Sequence, residues 1–474
     1  MRAADDLPRY RLGPRSTRGL IAGWRTSQIL CVGFGLLVSI GLLRSVGNAA
    51  GLFLAFVCTG CAVAASTWPL GGRTAEQWAP TVARYLLRGA ADGRYRPWSP
   101  VSDRRGPLAR LSMFQLPSDD AGTSETVVGV VEDQTYGTWS AVVRVEGDGF
   151  ALLSDAERAQ RISAWSSVLA AVATDTAAPH RLQWIARTYP ALLDGPATDL
   201  PSSDVRAALD YERLVEEASR GLWSREVLLV VTVRRSPRSS VTRGRARRRE
   251  GIDPRALLLR RQLDRLGERL RSAGLFVSAP LGPADLAKAL RRSFDLTPSG
   301  MPVIWPWPSG VQERWSTLMA DEAFHATYWI AEWPRSDVGT DFLLPMLVGS
   351  GIRRAVSLTL APVPPLSAVR RAEHERTSGA ADAELRRRHG FSITARARRE
   401  QDAREQRESE LAEGHAGFLY SGYVTVTERT EADLEEACRR VEQVAAVAQL
   451  ELRRLYGSQE EGLCCTLPTG RGCR

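Results

Sequence analysis

The chain has 474 residues, 44% of them hydrophobic, and a formal net charge of +9; it is longer than one domain needs and has the composition of a folded protein. Of its 63 basic residues only Lys288 is a lysine, a bias that reads as codon usage in a GC-rich genome and not as a set of built anion sites. That lysine lies in DLAKALRR with no glycine-rich loop before it. The chain is therefore not itself a P-loop motor, and it has almost no candidate for Schiff-base chemistry.

Residues 1–25 form a basic N-terminal tail. Two uncharged runs follow, TSQILCVGFGLLVSIGLL over 26–43 and VGNAAGLFLAFVCTGCAVAASTWPL over 46–70. At ~1.5 Å rise per residue they reach about 27 and 37 Å against a hydrocarbon core of ~30 Å. With only Arg44 and small residues between them, they predict a transmembrane helical hairpin over 26–70. A cleaved signal peptide followed by a buried helix is the competing reading. Asp5, Asp6 and the length of the second run weigh against it. Arginines crowd both outer flanks: Arg2, Arg9, Arg11, Arg15, Arg18 and Arg25 before, Arg73, Arg84, Arg88, Arg94 and Arg96 after. The positive-inside bias then puts both termini in the cytoplasm of a multi-pass plasma-membrane protein, with Trp24 and Trp68 at the same lipid interface.

A juxtamembrane linker covers 71–125. Val127–Val131 and Thr138–Val145 around a turn at Asp133–Gly137 predict a β-hairpin. Ser154 with Glu157 is a capping box opening a helix to about Ala173. Strands over Arg181–Tyr189 and Glu226–Val233 flank a helix over 203–220. A helix over Pro254–Ala273, a strand over Leu275–Ser278 and a helix over Pro283–Arg292 complete an α/β subdomain at 126–293. A Pro- and Trp-rich connector, 294–322, leads to a second α/β subdomain at 323–474. Its strands are Ala323–Glu332, Arg354–Ala361 and Tyr420–Thr427, with long charged helices over 367–413 and an amphipathic helix over Glu431–Leu455. The fold class is thus an N-terminal transmembrane hairpin followed by an α/β (α+β) cytoplasmic region of two subdomains. No internal repeat of fixed period is visible in the residues.

Chemistry-bearing motifs are sparse. The five histidines are dispersed, and His374-Glu375 lacks the second histidine of H-E-x-x-H. Cys31, Cys58 and Cys61 lie in the hairpin; Cys464, Cys465 and Cys473 lack zinc-ligand spacing; the long gap between Cys61 and Cys438 argues against a secreted disulfide framework. G-x-S-x-G and G-x-G-x-x-G are absent. The expectation is no enzyme, cofactor or metal. Arg234–Arg249 holds eight arginines in sixteen residues. Arg243, Arg245, Arg247, Arg248 and Arg249 there are candidates for contact with anionic lipid or nucleic acid. No aromatic residue interleaves the run as a stacking platform would, which favours a solvated loop and makes direct nucleic-acid binding the lesser reading. Trp305 and Trp307 between prolines suit a partner surface, though buried packing is favoured.

YRLGPRSTRGLIAGWRTSQI at Tyr10–Ile29 and STWPLGGRTAEQWAPTVARYL at Ser66–Leu86 resemble an actinobacterial family of integral membrane proteins of type IV secretion, or conjugation-like, systems. GVVEDQTYGTWSAVVRVEGDGFALL at Gly129–Leu153, HRLQWIARTYP at His180–Pro190 and ELRRLYGSQEEGLCCTLPTGRG at Glu451–Gly472 extend the likeness. The hairpin is similar to PrgI-like membrane subunits, and the remainder resembles the N-terminal, non-motor domain of VirB-type ATPases. The resemblance implies a non-enzymatic scaffold that docks a separate cytosolic VirB-type ATPase. It would assemble with other secretion-complex membrane subunits and with copies of itself, in contact with the lipid bilayer. The cysteines at 464, 465 and 473 depart from the small or apolar residues expected there and leave that tail's packing open. Two alternatives stand beside this reading. One is a type VII secretion membrane component of the EccE-like kind, which shares the layout of two N-terminal helices and a cytosolic domain. The other is a membrane-tethered nucleic-acid binder.

Overall fold

The computed structural model describes residues 26–67, 106–116, 127–191, 222–234, 253–296, 305–364 and 417–472, apart from gaps of one or two positions, with a few positions between them. Two compact units result. One comprises Gly13–Gly93 with Pro365–His415, and the other comprises Met1–Leu12, Arg94–Pro364 and Ala416–Arg474.

In the first unit, α1 (Thr26–Ser45) and α2 (Ala49–Thr67) are joined by a three-residue turn. The first helix runs two residues past the expected Leu43. The second stops three before the expected Leu70, where β1 (Pro69–Leu70) and β2 (Arg73–Thr74) form a short antiparallel hairpin. Both helices are long and apolar enough to cross a membrane.

The second unit is built on one 13-stranded sheet. Its elements in chain order are β3 (Arg96–Pro97), β4 (Leu111–Leu116), β5 (Val128–Asp133), β6 (Thr138–Glu146), α3 (Asp155–Thr174), β7 (Arg181–Pro190), β8 (Trp223–Arg234), α4 (Pro254–Ser272), β9 (Phe276–Pro280) and α5 (Pro283–Arg291). There follow β10 (Gly310–Glu313), β11 (Leu318–Ala320), β12 (Ala323–Glu332), α6 (Leu344–Val348), β13 (Arg354–Val363), β14 (Gly417–Glu428), α7 (Glu431–Val447), β15 (Glu451–Arg454) and α8 (Gln459–Cys464). The strand order is β3-β10-β11-β12-β14-β13-β7-β8-β6-β5-β4, with β15 added on β12 and β9 on β6.

Apart from the edge strand β3, that order is its own mirror about the β13–β7 pair. From β4 to α5 and again from β10 to α8 the chain lays down three strands, a helix, two strands, a helix, a strand and a helix. The stretches expected as two α/β subdomains therefore share one sheet, half each. The repeat extends to single residues. Leu259, Gln262, Leu263, Leu266 and Leu270 belong to the buried stripe of α4, with Ala256 and Gly267; Leu434, Ala437, Cys438, Val441 and Ala445 stand at the same spacing as those five and form the stripe of α7. Both helices then turn through a left-handed residue, Gly274 (φ 74°) and Gln449 (φ 55°). Each closes with the same hydrogen bond, Leu275 N to Leu270 O and Leu450 N to Ala445 O. The order of elements survives between the halves, while most identities and several lengths do not: α3 has 20 residues and its counterpart α6 has 5, which is why no period shows in the sequence.

The capping box is present as expected: Glu157 N donates to Ser154 Oγ, and Ser154 N to Glu157 Oε2 at 2.8 Å. Two expectations need correction. The helix expected over Glu431–Leu455 ends at Val447, and its last residues are strand β15, because positive φ at Gln449 reverses the chain. Strands β4, β10 and β11 occupy stretches expected as linker and connector. The helices expected over 203–220 and 367–413 lie outside the described residues but for a few positions. Both stretches fall at the same place in the repeat, between β7 and β8 and between β13 and β14.

Helices cover both faces of the sheet. On one, α3 and α4 pack over Leu182, Leu229 and Val231, and α6 and α7 over Tyr328, Val356 and Val424. On the other, α5 and α8 pack over Val142, Ile185, Leu228 and Val230.

Candidate functional site

The hairpin is locked by polar groups and small residues. Ser39, on α1 and 4% exposed, places its Oγ 2.8 Å from Gly35 O, 3.0 Å from Ala55 O and 2.9 Å from Thr59 Oγ1. Gln28 Nε2 donates to Ser66 O at 2.7 Å. A Cβ on Gly35 would sit 2.4 Å from that of Ala62, so glycine permits the close approach. Leu30, Phe34, Leu37, Leu52, Phe53 and Phe56 point away from the partner helix and are exposed. In water such a surface would be a large apolar patch; in lipid it is matched to its solvent. Trp24 and Trp68 lie outside the described residues, as do Arg243, Arg245, Arg247, Arg248 and Arg249.

The second concentration of polar chemistry is the sheet face under α8. The segment after α8 lies on this face and is held by side chains that read its backbone. Gln183 Nε2 reaches Cys465 O at 2.8 Å and Leu467 O at 3.0 Å, and its Oε1 accepts from Gly470 N at 2.8 Å. Ser140 Oγ donates to Thr469 O at 2.9 Å, Thr359 Oγ1 to Arg471 O at 2.7 Å and Tyr423 OH to Gly472 O at 3.1 Å. Gly470 has φ 69°, and a Cβ on it would stand 1.9 Å from Thr232 Oγ1, so both conformation and space require glycine. Arg471, 3% exposed, donates from Nη2 to Asp133 Oδ1 at 3.0 Å and to Pro107 O at 3.1 Å. This burial accounts for the tail that the cysteines had left open: Cys464 and Cys465 are core residues beside Leu463 and Leu467. Its sequence signal was the pair of glycines around Arg471, a spacing with no chemistry of its own.

A third cluster surrounds Glu226. Arg144 donates to its Oε1 from Nε at 3.1 Å and Nη2 at 2.9 Å, while Arg292 and Arg187 approach within 3.7 and 3.9 Å. Burial is the largest influence on the Arg187 guanidinium and lowers its pKa, with Glu226 opposing.

Burial is also the largest influence on two histidines and on the Cys464 thiol. It pulls His325 down to about 3, with the charge of Arg353 adding to the effect, and His180 down to about 4, helped by Arg181 and Arg234. It pushes the Cys464 thiol up, which makes that sulfur a packing group and a poor nucleophile. Trp307 is buried, as its packing reading required, and Trp305 is 46% exposed. Lys288 lies on α5, 4.0 Å from Asp285. Among the described residues no group of three or more His, Cys, Asp or Glu is placed to hold a metal ion.

Residues 224–330 match a family described as the putative type VII ESX secretion system translocon, EccE. The match runs from β8 to β12 and so crosses the junction between the two halves of the sheet. No curated protein matches the chain. Together with the two apolar helices, the match supports a membrane protein of a secretion system. It favours the type VII alternative over the type IV resemblance.

Proposed function

We propose that the chain is a non-enzymatic membrane component of a type VII (ESX-like) secretion translocon, of the EccE-like kind. The observation that carries this reading is the similarity of residues 224–330 to that family, joined in one chain to a hairpin of two apolar helices. The hairpin anchors the protein in the plasma membrane, with both termini in the cytoplasm as the flanking arginines direct. The sheet unit meets the other subunits of the secretion complex. Its chemistry suits a scaffold: His325, Arg187, Arg471 and Cys464 are buried and tied to packing.

The test is purification of the tagged full chain from membranes with its companions identified. Other membrane components of an ESX-type translocon are the expected companions. Recovery of a VirB-type ATPase with conjugation subunits in their place would overturn this reading in favour of a type IV scaffold. Reporter fusions at both ends check the orientation, and a reporter signal from outside the cell at either end contradicts it.

A further inference from the structure

We infer that the two halves of the sheet are strapped to each other reciprocally. The segment following the last helix of each half crosses onto the other half, where an arginine at the start of that half's central strand holds it. The two arginines are Arg181, which opens β7, and Arg353, which immediately precedes β13.

The second half's strap crosses onto the first. Arg181 Nη1 donates to Gly470 O at 3.2 Å. The first half's strap crosses onto the second, where Arg353 donates from Nη1 to Leu296 O at 2.9 Å and from Nη2 to Arg292 O at 2.9 Å and to Asp295 O. Asp295 stands to Gly470 as Gly274 stands to Gln449, so the two arginines grip carbonyls at the same position of the repeat.

Their surroundings repeat as well. Thr232 lies opposite both Arg181 and Ser140, and Ser140 Oγ is 2.9 Å from Thr232 Oγ1. In the other half Thr427 N donates to Arg353 O, and His325 Nδ1 lies 2.9 Å from Thr427 Oγ1. Above Ser140 sits Thr469, whose carbonyl accepts from it. Above His325, at the matching position, the ring of Phe294 stands edge-on at 6.4 Å between centroids.

A contact made twice, in opposite directions across one axis, is the mark of an isologous interface retained within a single chain. Its consequence is thermodynamic. The chain that follows the last helix of each half is held by an arginine of the other, so the two halves unfold as one cooperative unit. A guanidinium shared among half-buried carbonyls is a charge-assisted contact that no local element replaces. The inference is independent of which secretion machine the protein serves.

Hydrogen exchange and urea unfolding of the full chain in detergent micelles test it. Wild type is expected to unfold its sheet in one transition. Arg181→Gln is expected to speed amide exchange about tenfold or more in residues 466–472, and Arg353→Gln to do the same at 292–296, each with the larger change in the half that does not carry the substitution. The double variant is expected to unfold in two transitions. If a glutamine variant fails to accumulate, the lysine variant is measured instead; it keeps the charge, loses the planar fork and carries the same expectation. Exchange that rises only in the substituted half, or two transitions already in wild type, would overturn the inference.

Discussion

The two halves of the sheet bury the same positions with different chemistry. Where the first places Val142, Ile185, Leu228 and Val230, the second places Thr327, Ser357 and Thr425, with Tyr423 half-buried beside them under the segment that follows α8. The apolar half is held by area, at roughly 25 cal/mol per Å² removed from water, and asks only for volume. The polar half is held by partners. Thr425 Oγ1 lies 2.9 Å from Thr327 Oγ1 and 2.8 Å from Thr466 Oγ1, and Thr327 N donates to Gln459 Oε1 at 2.7 Å. One backbone plan therefore supports two kinds of core. The second specifies its covering segment more narrowly, because an unmatched hydroxyl or amide there costs about 1–3 kcal/mol.

The largest test of this contrast is at Asp133. Asp133→Asn leaves the Arg471 guanidinium buried without its counter-charge, and the expected loss is about 3–5 kcal/mol in urea unfolding. A loss below about 1 kcal/mol would show that the strap is held by its backbone contacts alone.

The next is a pH limb. His325 is buried neutral with its pKa lowered to about 3, below the 6.5 of an unconstrained histidine. The unfolded chain therefore takes up the proton first. Stability is full above pH 6.5 and falls as the pH drops toward 3, by about 1.4 kcal/mol per pH unit for this group. His180, lowered to about 4, adds a second contribution of the same sign. His325→Ser installs the residue that the first half carries at Ser140. It is expected to flatten the limb between pH 6.5 and 4.5 by roughly half. An unchanged slope would assign the limb to other groups.

The smallest effect is Thr425→Val, which keeps shape and removes the shared hydroxyl. It should cost about 1 kcal/mol, whereas Val230→Thr at the matching apolar position should cost more, because no partner awaits its hydroxyl. Equal costs would erase the distinction between the two cores.

Much of this architecture is legible in the residues. The hairpin follows from two uncharged runs, and the strands from Arg181, Glu226, Ala323 and Arg354 follow from alternation and β-branched content. What escaped were elements too short for a periodic signal, such as Leu318–Ala320, and the strand Glu451–Arg454, whose residues continue the apolar spacing of the helix before it. Only the left-handed turn at Gln449 separates them, and a glutamine gives no warning of positive φ as Gly274 does. The buried tail was hidden for another reason. Gln183, Ser140 and Thr359 are ordinary polar residues of strands, and nothing in their own segments says that a stretch some hundreds of positions on will lie across them.

That distance has a price in time. Ser140 and the carbonyl it serves at Thr469 are 329 residues apart. At a ribosome's pace of about 5–20 residues per second, the first half waits on the order of 20–60 seconds for the chain that covers it. Through that interval Gln183, Thr232 and Asp133 face water or a chaperone, while the hairpin, made first, has long since been ready for the bilayer. The protein is thus anchored early and completed late.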